Sequence, residues 1–63
     1  MASIRVIVKG TDGDHTVQSP TLSHEEVADQ LELVGVTLMN GADLFLPWLR
    51  CRAAAVLVAY SVD

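Results

Sequence analysis

The apolar residues of this chain are crowded into its second half. Residues 31–63 contain 22 of the 32 apolar residues, and the segment 53–62 carries no charged side chain. One helix and a small sheet offer little interior for so much apolar surface, and contiguous exposed apolar patches usually mark contact sites. The distribution therefore predicts a small α+β domain with an apolar surface that a partner covers.

The length of the chain strengthens this expectation. Residues 1–63 form one domain, and a domain of this size buries only about 60% of the surface of its unfolded chain. Disulfides, metals or oligomerisation usually support such small domains. Cys51 is the only cysteine, and His15 and His24 do not complete a metal-ligand spacing. We therefore expect a homo-oligomer with no metal and no cofactor.

Charge and hydropathy argue against two classes of partner. Eight acidic residues against four basic ones give a net charge of −4, which opposes the phosphate neutralisation that drives nucleic-acid binding. The apolar segment 53–62 has about half the length of a membrane span. The first ten residues lack the pattern of a signal peptide. The sequence predicts a cytoplasmic protein with no nucleic-acid partner and no membrane contact.

The first half of the chain contains two predicted strands and a helix. Residues 3–9 alternate in polarity, which predicts a half-buried strand with Ile7 on the face opposite to Ile4, Val6 and Val8. A turn at 11–14 leads to a polar edge strand at 15–19. The spacing of Ser23 and Glu26 is that of a capping box. It predicts a helix over 23–34 that ends at Gly35.

The second half of the chain reads as three strands. Asn40-Gly41 is a strong hairpin signal, so we expect strands at 36–39 and 42–48. A strict two-residue turn would place Asp43 on an apolar face. A bulge at Gly41 is therefore favoured. It would put Val36, Leu38, Leu44 and Leu46 on the core face and Met39 and Phe45 on the other face.

The last predicted strand covers 53–62, after a short connection at 48–52. Its even positions are large, and its odd positions are small except for Leu57. The predicted architecture is an antiparallel sheet with one helix packed on one face, in the order β-β-α-β-β-β.

The sequence gives little support for catalysis. Arg50 and Arg52 flank Cys51, and adjacent positive charge lowers the pKa of a thiol. In extended backbone, however, both arginines would point away from the thiol, and no base follows nearby to activate a nucleophile. Phosphate-binding glycine loops and zinc-hydrolase motifs are absent. We expect Cys51 to fill space in the core, and we expect no enzyme activity and no catalytic residue.

The remaining candidates are partner-binding residues. Tryptophan offers a large apolar area with one polar group, so Trp48 suits an interface and a core equally well. Phe45 favours the interface because it shares a predicted face with Asp43. The predicted contact residues, on the sheet face opposite the helix, are Ile7, Met39, Phe45, Trp48 and Leu57.

The leading hypothesis is a small non-enzymatic interaction protein of the accessory or inhibitor type. It would self-associate or bind a protein partner through that apolar face. One alternative is a structural subunit of a larger assembly that makes contact through a strand edge. A less favoured alternative is a nucleic-acid regulator, which requires the four basic residues to cluster: Arg5, Lys9, Arg50 and Arg52.

Overall fold

A computed structural model describes all 63 residues of the chain. The elements follow in the order β1 (Ser3–Gly10), β2 (Gly13–Gln18), α1 (His24–Met39), β3 (Leu44–Leu46), β4 (Leu49–Cys51), a 3₁₀ turn (Ala53–Ala55) and β5 (Val56–Val62). The predicted α+β class and the order β-β-α-β-β-β are confirmed. The strands form two antiparallel units, a three-stranded sheet in the order β2-β1-β5 and the separate hairpin β3-β4.

Strand β1 is the centre of the three-stranded sheet. Its inner face is buried and carries Ile4, Val6 and Val8, as the alternation of the sequence predicts. Its outer face carries Arg5, Ile7 and Lys9, since successive side chains of a strand point to opposite faces. The core therefore lies on one side of the sheet, and Ile7 faces away from it.

The helix begins where the sequence places it. The Oγ atom of Ser23 accepts a hydrogen bond of 3.1 Å from the backbone N–H of Glu26, which satisfies one of the free donors at the first turn. The Ser23 hydroxyl also donates to the Glu26 carboxylate at 3.3 Å. The cap residue and the acidic residue three positions later therefore stay in contact, and α1 starts at His24.

The predicted end of the helix is wrong, because α1 continues to Met39. It stops at a Schellman motif, in which Gly41 has a left-handed φ of +66°. The N–H of Gly41 donates to the carbonyl of Leu38, and the N–H of Ala42 donates to the carbonyl of Thr37, both at 3.2 Å. Asn40-Gly41 is thus a helix terminus and not a hairpin turn.

Two consequences follow for the predicted strands. Residues 36–39 are helical, so the prediction of a strand there is wrong, and so is the predicted bulge at Gly41. The missing strand is supplied by β4, which lies in the segment predicted to be a connection. The last strand begins at Val56, because residues 53–55 form a 3₁₀ turn.

The alternation predicted for the hairpin is correct along β3. Leu44 and Leu46 are buried, at 0% and 5% exposure, whereas Phe45 between them is 67% exposed. Phe45 lies opposite Arg50 of β4. The hairpin therefore directs two leucines inward and presents a phenylalanine to solvent.

Strand β5 contains the bulge of this fold. Ile7 of β1 pairs with Val58, but the next residue, Val8, pairs with Val56. Leu57 is therefore an extra residue in β5, and the strand is regular from Val58 onwards.

The interior consists of two small apolar clusters. The first contains Ile4, Val6 and Val27, and the second contains Val34, Leu44 and Leu46. Four partly buried residues pack against both clusters and join them: Trp48, Leu49, Val56 and Ala59.

The helix is neither long enough nor apolar enough to span a bilayer.

Candidate interaction surface

The fold leaves much of its apolar surface outside. Nine apolar residues are buried, and nine large apolar side chains are exposed. The exposed set is Met1, Leu33, Val36, Leu38, Met39, Phe45, Leu57, Val58 and Tyr60. The structure has no pocket, so these side chains lie on open faces.

One group of apolar residues lies on the outer face of the three-stranded sheet. Ile7 lies opposite Val58, and the next pairs on this face are Arg5 with Tyr60 and Ser3 with Val62. We name the apolar members, Ile7, Val58, Tyr60 and Val62, the sheet patch. Val58 is 45% and Tyr60 40% exposed, while Ile7 and Val62 are half-buried. Cross-strand neighbours of this kind form a continuous surface.

The sheet patch has a polar boundary on the side of β2. Thr16 lies opposite Ile7, and Gln18 lies opposite Arg5. The Arg5 guanidinium donates a hydrogen bond of 3.3 Å to Gln18 Oε1 and lies 6.0 Å from the centre of the Tyr60 ring. This distance is at the limit of a cation–π contact. Arg5 therefore connects the polar strand β2 to the apolar strand β5 across β1.

Strand β5 is also an open edge of the sheet. Its only strand partner is β1, so the backbone groups along its other side have no strand partner. It contains neither a charged residue nor a proline, which are the residues that usually protect such an edge. The edge and the sheet patch are contiguous, since Val58, Tyr60 and Val62 belong to both.

A second apolar group lies at the end of the helix. Leu33, Val36, Leu38 and Met39 are exposed there, and Met39 is the most exposed of them at 88%. The preceding part of the helix carries the exposed acidic residues instead: Glu25, Glu26, Asp29 and Glu32. The solvent side of α1 therefore changes from acidic to apolar along its length.

The structure does not bring the five predicted contact residues onto one face. Ile7 belongs to the sheet patch, and Leu57 is the half-exposed bulge residue beside it. Met39 ends the helix, and Phe45 lies on the hairpin, which packs on the inner side of the sheet. Their role in partner binding stays a prediction.

Trp48 is half-buried and packs against the interior of the fold. Its indole packs against both apolar clusters, and its Nε1–H donates a hydrogen bond of 2.9 Å to Gln30 Oε1 of the helix. A buried indole N–H usually finds such a partner. Of the two roles that the sequence leaves open for Trp48, these contacts favour the core.

Sequence reasoning missed Val58, Tyr60 and Val62 as members of the exposed face. The signal was present, because the even positions of the last strand are large. The bulge at Leu57 changes which residues share a face, so Val56 points inward with the core while Val58 points outward. Leu57, the one large residue at an odd-numbered position, marks the position of the bulge.

Cys51 is free and half-buried at the end of β4. Burial raises the pKa of its thiol, and the negative charge of Asp43 raises the pKa further. Both effects favour the neutral thiol over the reactive thiolate. The flanking arginines therefore do not activate Cys51.

The basic residues are divided between two parts of the fold. Arg5 and Lys9 lie on the outer face of β1, whereas Arg50 lies on β4 of the hairpin and Arg52 follows it. No group of three or more His, Cys, Asp and Glu side chains is arranged to hold a metal ion.

No protein-family model matches the chain, and neither a curated protein nor a solved structure matches it. Its function is therefore inferred from the surface described above.

Proposed function

We propose that this chain is a small non-enzymatic interaction protein, of the accessory or inhibitor type, that acts in the cytoplasm. Its contact surface is the sheet patch, on the face of the sheet opposite the helix. The observation that carries the proposal is the cross-strand adjacency of Ile7 with Val58 and of Arg5 with Tyr60 on that exposed face.

The composition of the patch suits protein binding. Val58 and Tyr60 offer apolar area that is removed from water only when another surface covers them, and each Å² so removed is worth about 25 cal/mol. Tyrosine is a frequent anchor in interfaces because its ring is large and has few rotatable bonds. Thr16 and Gln18 mark where the patch ends on the side of β2. An apolar centre bounded by polar surface is the usual anatomy of an interface.

A matched pair of substitutions tests this surface. Ile7→Lys places a charge in the middle of the patch, and Thr16→Lys places the same charge on the same face, one strand away. We expect proteins captured from the native cell by the wild-type chain to be retained by Thr16→Lys and lost by Ile7→Lys. Circular dichroism checks that both variants are folded. Equal capture by the two folded variants would exclude the sheet patch as the contact surface.

A structural role in a larger assembly is the second candidate. It is supported by the open edge of β5, which offers a row of backbone donors and acceptors to another strand. In this case contact would depend on the backbone of β5 more than on the side chains of β1.

A further inference from the structure

We propose that the open edge of β5 is occupied by β5 of a second copy of this chain, in antiparallel orientation. The two sheets then form one six-stranded sheet with β5 and its copy at the centre. This inference rests on the proposed function, since β5 carries three of the four residues of the sheet patch. It adds a geometry, in which the contact runs along the strand edge and places the two sheet patches side by side.

The two edges of the sheet differ in how they are protected. Strand β2 forms one edge and is polar and exposed, with Asp14, His15 and Gln18 along it. Strand β5 forms the other edge and has only apolar, small or uncharged residues over Val56–Val62. Charged edge residues discourage strands from pairing with other chains. Strand β2 carries Asp14, whereas β5 has no charged residue, so pairing is expected on the β5 side.

The bulge at Leu57 limits the register of such a pair. Regular backbone extends over residues 58–62, and an antiparallel pair of these five residues with themselves has its two-fold axis at Tyr60. Tyr60 then lies opposite Tyr60 of the second copy, and Val58 lies opposite Val62 of the second copy. Residues that face each other must point to the same side of the sheet, and this register meets that condition.

The side chains are complementary in this register. The outer face gains the pairs of aromatic and β-branched residues that stabilise neighbouring strands. On the inner face, Ala59 lies opposite Ser61 of the second copy, so only small side chains meet on the side of the core. The sheet patches of the two copies become one continuous surface.

Electrostatics also permit a second copy as the occupant. The chain has a net charge of −4, yet no charged residue lies within the paired segment. Arg5, the charged residue opposite Tyr60, lies one strand further in, on β1. Three strand spacings of about 4.8 Å separate the two β1 strands. The backbones of the two Arg5 residues are therefore about 14 Å apart, which exceeds the screening length of about 8 Å at physiological salt.

The size of the contact sets its strength. A five-residue strand pair with its flanking side chains lies at the low end of specific interfaces, below about 1,200 Å². We therefore expect reversible association that increases with protein concentration and is not a permanent dimer.

Disulfide trapping tests the register directly. Val58→Cys and Val62→Cys are each made with Cys51→Ala, so that each chain has one thiol. Opposite residues of an antiparallel pair have Cα atoms about 4.5–5.5 Å apart, which is within the range for a disulfide. The two copies of residue 58 are offset by four residues, or about 13 Å, and cannot bridge. We expect a cross-linked dimer in the mixture under mild oxidation and no dimer from either variant alone.

Hydrogen exchange provides a second readout that needs no substitution. The backbone amides of β5 that face the open edge should exchange more slowly as the concentration of the wild-type chain increases. The amides of β2 at the other edge serve as the internal control and should not change.

The outcomes separate this inference from the proposed function. Cross-linking by either variant alone, as fast as by the mixture, would overturn the register. If the mixture does not cross-link and the β5 amides are not protected, the edge pair is wrong. In that case the Ile7→Lys comparison still decides whether the sheet patch binds a different protein. If the edge pair forms but Ile7→Lys captures the same proteins as Thr16→Lys, the face is wrong and the edge alone makes the contact.

Discussion

The Nε1–H of Trp48 donates a hydrogen bond of 2.9 Å to Oε1 of Gln30, and this bond connects the turn of the β3–β4 hairpin to the middle of α1. The indole at one end of it packs against both apolar clusters. The bond is therefore partly shielded from water. Removal of the Gln30 acceptor should therefore cost free energy, because water does not fully replace the lost partner of the indole N–H.

Gln30→Ala should reduce the free energy of unfolding by about 0.5–1.5 kcal/mol, the usual net value of one hydrogen bond. Trp48 is the only tryptophan, so its fluorescence reports this site, and the denaturation midpoint measures the loss. Glu32→Ala, on the exposed side of the same helix, is the control and should change the midpoint little. Equal effects of both substitutions would mean that the bond contributes nothing to stability.

Two glycines of the helix region should respond to alanine in opposite directions. Gly35 lies inside α1, and an added Cβ meets no atom within 4 Å, so Gly35→Ala should stabilise the chain by about 0.5–1 kcal/mol. Gly41 has a φ of +66°, which alanine adopts only with strain of about 1–2 kcal/mol. Gly41→Ala should therefore destabilise the chain. Chemical denaturation of both variants measures the contrast, and stabilisation by both would contradict the Schellman motif.

Substitutions on the two sides of β3 should differ in their effect on stability. Leu46→Ala removes buried apolar volume and should cost about 2–5 kcal/mol. Phe45→Glu, one residue earlier and exposed, should leave the fold intact, with a change within about 0.5 kcal/mol. Circular dichroism during denaturation gives both values. If Phe45 contacts the partner as predicted, the folded Phe45→Glu chain will capture less of it. An unfolded Phe45→Glu chain beside an unaffected Leu46→Ala chain would invert the two faces.

The reactivity of Cys51 should depend on Asp43. Burial first, and then the Asp43 carboxylate, raise the pKa of the thiol, so Asp43→Asn should lower the pKa by removing the negative charge. Only the thiolate reacts with iodoacetamide. At a fixed pH near 8, the folded Asp43→Asn chain should therefore be alkylated faster than the wild type, with its rate profile displaced to lower pH. An unchanged profile would show that Asp43 does not act on the thiol.

Local patterns predicted those parts of the fold that depend on near neighbours in the sequence. The alternation of Ile4, Val6 and Val8 identified β1 and its buried face. The spacing of Ser23 and Glu26 identified the start of the helix. In each case the residues that determine the feature lie within one short segment of the sequence.

The end of the helix could not be inferred in this way. A left-handed glycine after asparagine serves a hairpin turn and a helix terminus equally well. Val36 and Leu38 fit a strand by their spacing, and only the backbone hydrogen bonds of Gly41 and Ala42 to Leu38 and Thr37 show that the helix continues past Gly35. A glycine inside a helix costs about 1 kcal/mol and need not end it.

The candidate surface was predicted only in part for a related reason. Ile7 was placed on the correct face because β1 is regular. Met39 was assigned to the same face as Phe45 on the assumption of a strand that is in fact helical. Val58 and Tyr60 lie on the face of Ile7 because of the bulge at Leu57. This bulge depends on pairing between the two ends of the chain, which the sequence pattern does not show.

That pairing also determines when the chain can fold during its synthesis. Ser3 pairs with Val62, and Val6 pairs with Ala59, so the central strand obtains its second neighbour from more than fifty residues away. A ribosome delivers the chain from its N-terminus, and β1, β2 and the helix emerge while Val56 and Ala59, which join the two apolar clusters, are still absent. Contacts this distant in sequence also slow folding, because the intervening loop must close first. Until β5 leaves the exit tunnel, the inner face of β1 can pack only against β2 and the helix, and the sheet lacks its third strand.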